Sequence, residues 1–309
     1  MHGMPAPTGS LSSTATSGPS WPEPAGVGMS FLPSRPDLVT ELLPSADYVE
    51  MGPELFARAT GDERIAFDTE AAEAALRLAG DLPVVLHGLE LSIGSAHGWN
   101  EVALHCLDRF LELREVLWHS EHLNFLNTTA ADGSVIELGL PMPLPFTAEC
   151  AELVATRADL VMDRYGMMFL LENPANYLPD LPRDPGWDEP AFLTAITERS
   201  RGGLLLDLYN LWTNCVNHRL DPQELLARMP LDRVVEIHVA GGEERDGLLL
   251  DSHSAAVPDP VWRMLETVVP KASRLAGVTV EVLDVYAGKL GADAIGEQLA
   301  TARSIWDAR

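Results

Sequence analysis

Basic residues are scarce in this chain. Its 309 residues hold 21 Lys and Arg against 46 Asp and Glu, a formal charge of −25. A surface of that sign repels phosphate backbones, whereas nucleic-acid binding rests largely on Lys and Arg contacts to phosphate. A nucleic-acid partner is therefore not expected. Cysteine is sparse as well. Cys106, Cys150 and Cys215 form an odd set without CxxC spacing. That excludes a four-cysteine zinc site and fits reduced thiols in a cytoplasmic setting. No apolar run approaches the roughly 18 residues of a membrane span, so no membrane location is expected. The start, "MHGMPAPTGSLSSTATSGPSWPEPAG", has no basic opening and no apolar core of a signal peptide. Its Ser, Thr, Pro and Gly content reads as a disordered tail over residues 1–25, ahead of a single domain over 26–309. Dinucleotide and nucleotide loops are missing too: "GVG" at 26–28 is too short for GxGxxG, and there is no Walker A sequence.

Short apolar runs alternating with segments of helical period are plentiful. The runs predict strands at Tyr48–Met51, Pro83–Leu86, Glu121–Phe125, Met168–Glu172, Gly203–Asp207, Val234–Val239, Leu248–Asp251 and Val278–Val282. Between most of them lie helical patterns. "NEVALHCLDRFLELREVLWH" spaces its apolar residues three and four apart, and "TAECAELVATRADLVMDRYG" opens on Thr147 as N-cap and stops at Gly166. "EPAFLTAITERSRG" and "DPQELLARMP" carry Pro near their starts. Strands that are apolar almost throughout are buried on both faces, as in parallel sheets. Eight such units match a (β/α)8 TIM-like barrel, a fold of about 250 residues, better than an open doubly wound sheet.

Those strands end in groups that want water or a metal. "LPVVLHG" ends near His87, "SEHLNF" carries His122, "MFLLENP" ends in Glu172 and "GLLLDLYN" holds Asp207 with Asn210 three residues on. "VVEIHVAGG" carries His238, "LLLDSH" gives Asp251 and His253, and "VTVEVLD" gives Glu281 and Asp284. "YVEMGPELF" offers Glu50 and Glu54. Active sites of such barrels lie at the C-terminal ends of the strands. His87, His122, Glu172, Asp207, His238, Asp251, His253 and Glu281 are therefore expected to converge. Imidazoles and carboxylates that close would repel or go unpaired without cations, and divalent metals resolve that cost. Asp251 and His253, two apart on one strand, would lean the same way. Taken singly, a histidine at a strand end is more often a hydrogen-bonded core residue; the joint pattern carries the inference. His105 and His119, in or just after a helix, read as packing residues. His97 lies in a loop that could cover the pocket, and the cysteines read as inert.

The order of these residues resembles the trinuclear-metal TIM barrels, endonuclease IV and the xylose-isomerase-like enzymes among them. The phrases "LHGLELSIGS", "LPMPLPFTAEC", "LENPANYL", "LLLDLYNLWTNCVNH", "EIHVAGG" and "LLDSHSAAVPDPVW" narrow the resemblance. They are similar to the multinuclear non-heme iron-dependent oxidative enzymes, a family that includes the methanobactin biosynthetic oxidase. The resemblance covers about residues 26–290. It implies two or three Fe ions, O2 as co-substrate, and an oxidoreductase of natural-product biosynthesis. The implied substrate is a residue, often Cys, of a ribosomally synthesised precursor peptide, usually with a small leader-binding partner protein. By position it makes metal ligands of His87, His122, Glu172, Asp207, Asn210, His238, Asp251, His253 and Glu281, with Glu54, His97, Asn214, His218 and Asp284 as candidate supports around them. Departures from the family pattern are Leu55 after Glu54, Tyr209 before Asn210, and two residues between Glu281 and Asp284. His with carboxylate suits Fe, Zn or Mn alike. Redox-neutral metal chemistry of sugar isomerase or phosphodiesterase type is the alternative, and a non-catalytic metal or peptide binder is a third class.

Overall fold

The computed structural model describes residues 19–59, 65–130 and 132–309. Most of the expected tail, residues 1–18, lies outside the described residues. Residues 19–25 lie against the N-terminal end of the sheet. Trp21 stacks on Arg274 and Arg233, with guanidinium carbons 3.9 and 5.2 Å from its ring. The Ala25 N–H donates to the Ala276 carbonyl.

Eight parallel strands close into a barrel. They are β1 (Gly26–Ser30), β2 (Tyr48–Met51), β3 (Val84–Gly88), β4 (His119–His122), β5 (Phe169–Glu172), β6 (Gly203–Asp207), β7 (Val234–Val239) and β8 (Gly277–Val280). Each pairs with its sequence neighbours, and β1 closes on β8 with Gly26 opposite Gly277. The helices are α1 (Pro36–Leu42), α2 (Thr69–Ala79), α3 (Glu101–Leu111), α4 (Ala148–Tyr165), α5 (Glu189–Arg199), α6 (Leu208–His218), α7 (Pro222–Leu226), α8 (Asp259–Val268) and α9 (Asp284–Asp307). Helix α4 has the expected caps: Thr147 accepts from the Cys150 N–H, and Gly166 takes a left-handed φ of 68°. No helix among the described residues is long and apolar enough to cross a membrane.

Four expectations are corrected. The first barrel strand is Gly26–Ser30, which has no apolar run to announce it. A Cβ on Gly28 would lie 2.2 Å from the Tyr48 ring, and one on Gly277 2.5 Å from the Tyr48 hydroxyl oxygen. These positions are glycine so that Tyr48 can fill the barrel interior, and that removes the strand signal. Conversely, Leu248–Asp251 is not a barrel strand. Leu248–Leu249 pairs antiparallel with Glu244–Arg245 in a small hairpin on the rim. Asn217 holds the Leu249 backbone through both its N–H and its C=O, and Leu248 remains 41% exposed. A second hairpin on the rim, Asn124–Thr129 with Val135–Pro143, takes the end of the expected Glu121–Phe125 strand. His119, read as a helix exit, is instead the first residue of β4.

A candidate metal centre at the barrel mouth

The first three donors stand on adjacent strands. His87 is in β3, and the register sets His122 of β4 opposite Glu172 of β5. His122 Nε2 lies 2.8 Å and His87 Nε2 3.2 Å from the same Glu172 oxygen, Oε2. The two Nε2 atoms are 3.1 Å apart. His87 Nδ1 faces Ser120 Oγ at 2.9 Å, and that hydroxyl donates to the Leu86 carbonyl. The serine therefore accepts from Nδ1–H, and Nε2 keeps its lone pair for the centre.

Asp207 and His238 are also paired by register, across β6 and β7. Asp207 ends β6 and caps α6: one oxygen accepts the Asn210 N–H at 2.7 Å and the other faces inward. Asn210 donates its side-chain amide to Glu172 Oε1 at 3.1 Å. Glu281, just past β8, brings Oε2 to 2.7 Å from His238 Nδ1 and Oε1 to 3.1 Å from His253 Nδ1. Asp251 and His253 reach the cluster from a loop rather than a strand. Their side chains meet, Oδ1 to Nε2 at 2.5 Å, with His253 in a left-handed conformation at φ 47°. Such strain in a residue other than glycine persists where its surroundings hold it, often at a functional site.

Seven buried side-chain atoms of this cluster have no hydrogen-bond partner: Glu172 Oε2, Asp207 Oδ2, Asn210 Oδ1, His238 Nδ1, Asp251 Oδ1, His253 Nε2 and Glu281 Oε2. Six of these residues have another polar atom held elsewhere. Paired on one side and bare on the other is how residues are arranged around cations. Four overlapping triplets bring their donors within 4.8 Å: Glu50/His87/His238, His87/His122/Glu172, Glu172/Asp207/His238 and Asp207/His253/Glu281. The shared members suit more than one ion. Protons show the same crowding. Burial, then the neighbouring imidazoles of His122 and His238, push His87 well below its usual range. Burial acts to lower His122 too, but the Glu172 carboxylate outweighs it and raises that ring to about 9. Burial and the Asp251 and Glu172 charges hold Asp207 well above the ordinary carboxylate range.

All nine expected ligands therefore lie at the barrel mouth. The expected supports divide. Asn214 props the loop after β5, accepting from the Asn176 N–H at 2.7 Å and donating to the Pro174 carbonyl at 3.2 Å. His218 meets the Asn176 carbonyl at 2.6 Å on the same loop. Glu54 does not join the centre: its neighbours are Glu121 and Glu90, and together with burial they raise its carboxyl well above the usual range. His97 is exposed beside Thr129 on the rim hairpin, and Asp284 accepts from the Ser34 N–H. The strand 2 carboxylate that reaches the cluster is Glu50, 2.9 Å from His238 Nε2. The sequence offered it beside Glu54, and only the structure singles it out. Tyr177 was missed: its hydroxyl accepts the Asp251 N–H at 2.8 Å. Burial pushes the thiols of Cys106 and Cys150 up to about 11 and that of Cys215 to about 12, so none is a nucleophile near neutral pH.

Residues 26–285 match the family model described as RiPP precursor modification enzyme MbnB/TglH/ChrH. This chain belongs to that family. Curated relatives carry only the label UPF0276. The protein from Nitrosospira multiformis is 32% identical over 248 residues, covering 80% of this chain and 82% of its own length. That from Rhizorhabdus wittichii is 35% identical over 195 residues, 63% of this chain and 67% of its own. In fold, this MbnB/TglH/ChrH member is similar to a xylose isomerase domain protein from Alicyclobacillus acidocaldarius, with a TM-score of 0.55 and 17% identity over 91% of this chain and 99% of that one. Endonuclease IV from Thermus thermophilus has a TM-score of 0.51 and 17% identity over 92% and 99%. At that identity the likeness is one of fold. Membership in the family makes the chain a peptide-modifying enzyme acting on a ribosomally made precursor.

Proposed function

We propose that the chain is a multinuclear iron-dependent, O2-using oxidase that modifies a residue, cysteine by preference, of its precursor peptide. The observation that carries the metal reading is the set of seven unpartnered donor atoms facing one another at the barrel mouth. His87, His122 and Glu172 would hold one ion: two imidazoles and one carboxylate are the donor set of non-haem ferrous oxygenases. Glu172, Asp207 and His238 would hold a second, sharing Glu172, and Asp207, His253 and Glu281 a third with Asp251 and Asn210 beside it. When bound, iron supplies the electron transfer to dioxygen that side-chain oxidation needs.

The chain supplies position and dryness. A vestibule of about 310 Å³ leads to His122, Asn210 and Asp251. Its walls include Leu140, Pro141, Met142 and Pro143 of the rim hairpin and Pro174, Tyr177 and Leu178 of the loop after β5. That volume sits at the lower end of ligand sites and suits one side chain with part of its backbone. Tyr177 spends its oxygen lone pair on the Asp251 N–H, so its own proton is free to donate to a substrate carbonyl. Pro143, Pro174 and Leu178 also line a groove of about 1030 Å³ beside α5, α6 and α7, which gives an extended peptide a path to the vestibule. We place the enzyme in the cytoplasm, with a small leader-binding protein as its partner.

The test is elemental analysis of anaerobically purified protein, followed by oxygen uptake with synthetic cysteine-containing candidate precursor peptides. Iron at two or three equivalents and peptide-dependent oxygen consumption support the reading. Protein that holds only zinc, and consumes no oxygen when given ferrous iron and peptide, favours the redox-neutral alternative suggested by the isomerase-like fold.

A further inference from the structure

We infer that Glu50, which stands outside the nine ligand positions, is a positioning residue that fixes the tautomer of His238, so that Nδ1 faces the metal and Nε2–H faces Glu50. The inference rests on the metal reading above and concerns how one of its ligands is aimed.

His238 is fully buried, and each ring nitrogen faces a carboxylate. The two encounters differ. Nε2 makes a hydrogen bond to Glu50 Oε2 at 2.9 Å. Nδ1 lies 2.7 Å from Glu281 Oε2, yet the angles do not make a hydrogen bond, and both atoms count among the unpartnered ones. A neutral ring carries one proton. Placed on Nε2, it satisfies Glu50 and leaves the Nδ1 lone pair beside a carboxylate oxygen, two donors aimed at a common cation. Placed on Nδ1, it would point at Glu281 in a geometry that makes no hydrogen bond and leave Nε2 dependent on a proton from Glu50.

Glu50 is available for this because the carboxylate beneath it is engaged. Glu236, two residues before His238 on the same inward face, accepts from Trp118 Nε1 at 2.6 Å and from the Thr279 hydroxyl at 2.7 Å. Its nearer oxygen is 3.8 Å from His238 Nε2, beyond hydrogen-bond reach. Tyr48, whose hydroxyl meets Thr279 at 2.7 Å, closes this floor. Ser120 sets the other tautomer on His87, and there Nε2 is the free nitrogen. The two rings, with centroids 5.0 Å apart, thus present opposite nitrogens to the centre. The partner of one is a hydroxyl and that of the other a carboxyl group. A carboxylate behind a ligating histidine makes the ring a stronger donor, and losing such a partner costs about 10- to 100-fold in metal affinity.

Zinc alone serves as the probe, since its diamagnetism permits NMR whatever the native metal does. Long-range 1H–15N spectra of zinc-loaded, histidine-labelled protein should show His238 with a metal-bound Nδ1 and a protonated Nε2, assigned by loss of its signals in His238→Gln. Glu50→Gln should bind the same number of zinc equivalents, release them to a chelator about 10- to 100-fold more readily, and shift the Nε2 proton resonance. Zinc on Nε2 of His238, unchanged affinity in Glu50→Gln, or loss of a whole equivalent there would overturn the inference, the last by making Glu50 a ligand itself. These outcomes leave the metal reading standing. A chain that takes up neither zinc nor iron ends both.

Discussion

Stripping the cations is expected to remove a large share of this fold's stability. The seven unpartnered donor atoms are all buried. An unpaired buried polar group costs roughly 1–3 kcal/mol, so seven oppose folding by about 7–20 kcal/mol. A whole domain is stable by only about 5–15 kcal/mol. Protonation of Asp207 and His122 relieves part of that cost, and movement of the loop bearing Asp251 and His253, which no barrel strand holds, relieves more. In the other direction, each ion present at 100 times its dissociation constant adds about 2.7 kcal/mol, so two add about 5 kcal/mol. For a chain of this size, about 2 °C per kcal/mol gives a rise in Tm of about 10 °C. The assay is scanning calorimetry under anaerobic conditions, with excess ferrous iron or zinc against excess chelator. Amide exchange would locate the change, with protection over residues 250–256 falling on chelation. Equal Tm values for metal-loaded protein and for protein shown to have lost its ions to chelator would refute the claim that these atoms are arranged around metal.

Three further outcomes are expected. His238→Ala should lose metal and activity together, and a fully metallated, active variant would contradict the ligand assignment. Leu140→Asp alters an exposed wall of the vestibule (57% exposed), so metal content and Tm should hold while KM for the peptide rises several-fold; unchanged peptide kinetics would remove the hairpin from the substrate path. The pH dependence should have opposite signs in the two states. The His122 ring is raised from 6.5 to about 9, so in metal-free protein its contact with Glu172 stabilises fully below pH 6.5 and is lost as pH rises through about 9. A cation displaces that proton, so metal affinity climbs over the same range. The Tm gap between loaded and stripped protein should therefore widen from pH 6.5 to 9, and a gap that narrows would count against His122 as a ligand.

Much of the architecture was legible in the linear chain because parallel barrel strands announce themselves locally. Runs such as "GLLLD" and "FLLE" are apolar until their last residue, and each ends in a carboxylate that packing alone does not explain. Six of the nine candidate ligands, His87, His122, Glu172, Asp207, His238 and Glu281, could be read from those ends in order. Where local pattern and burial part company, reading failed. "GVGMS" is a buried barrel strand whose glycine makes room for Tyr48, while "LLLD" is a leucine run on an exposed rim hairpin. Asp251 and His253 belong to the cluster for a different reason from the one expected. A left-handed turn at His253, not strand alternation, brings them together. Glu54 looked as eligible as Glu50, and only the inward register of β2 separates them.

By itself, the sequence determined the fold class, the family and the chemistry at the strand ends, since side-chain type and periodicity are properties of neighbours along the chain. Only the tertiary structure decided which atom of each residue is left bare, which nitrogen of His87 and His238 faces the centre, and that Glu50 stands behind the ring of His238, 188 residues away. Those facts depend on closing the barrel, where β1 meets β8 and the strand ends come within a few ångströms. Electrostatic pairing and desolvation at that range are set by distance through space, and no spacing along the chain encodes it.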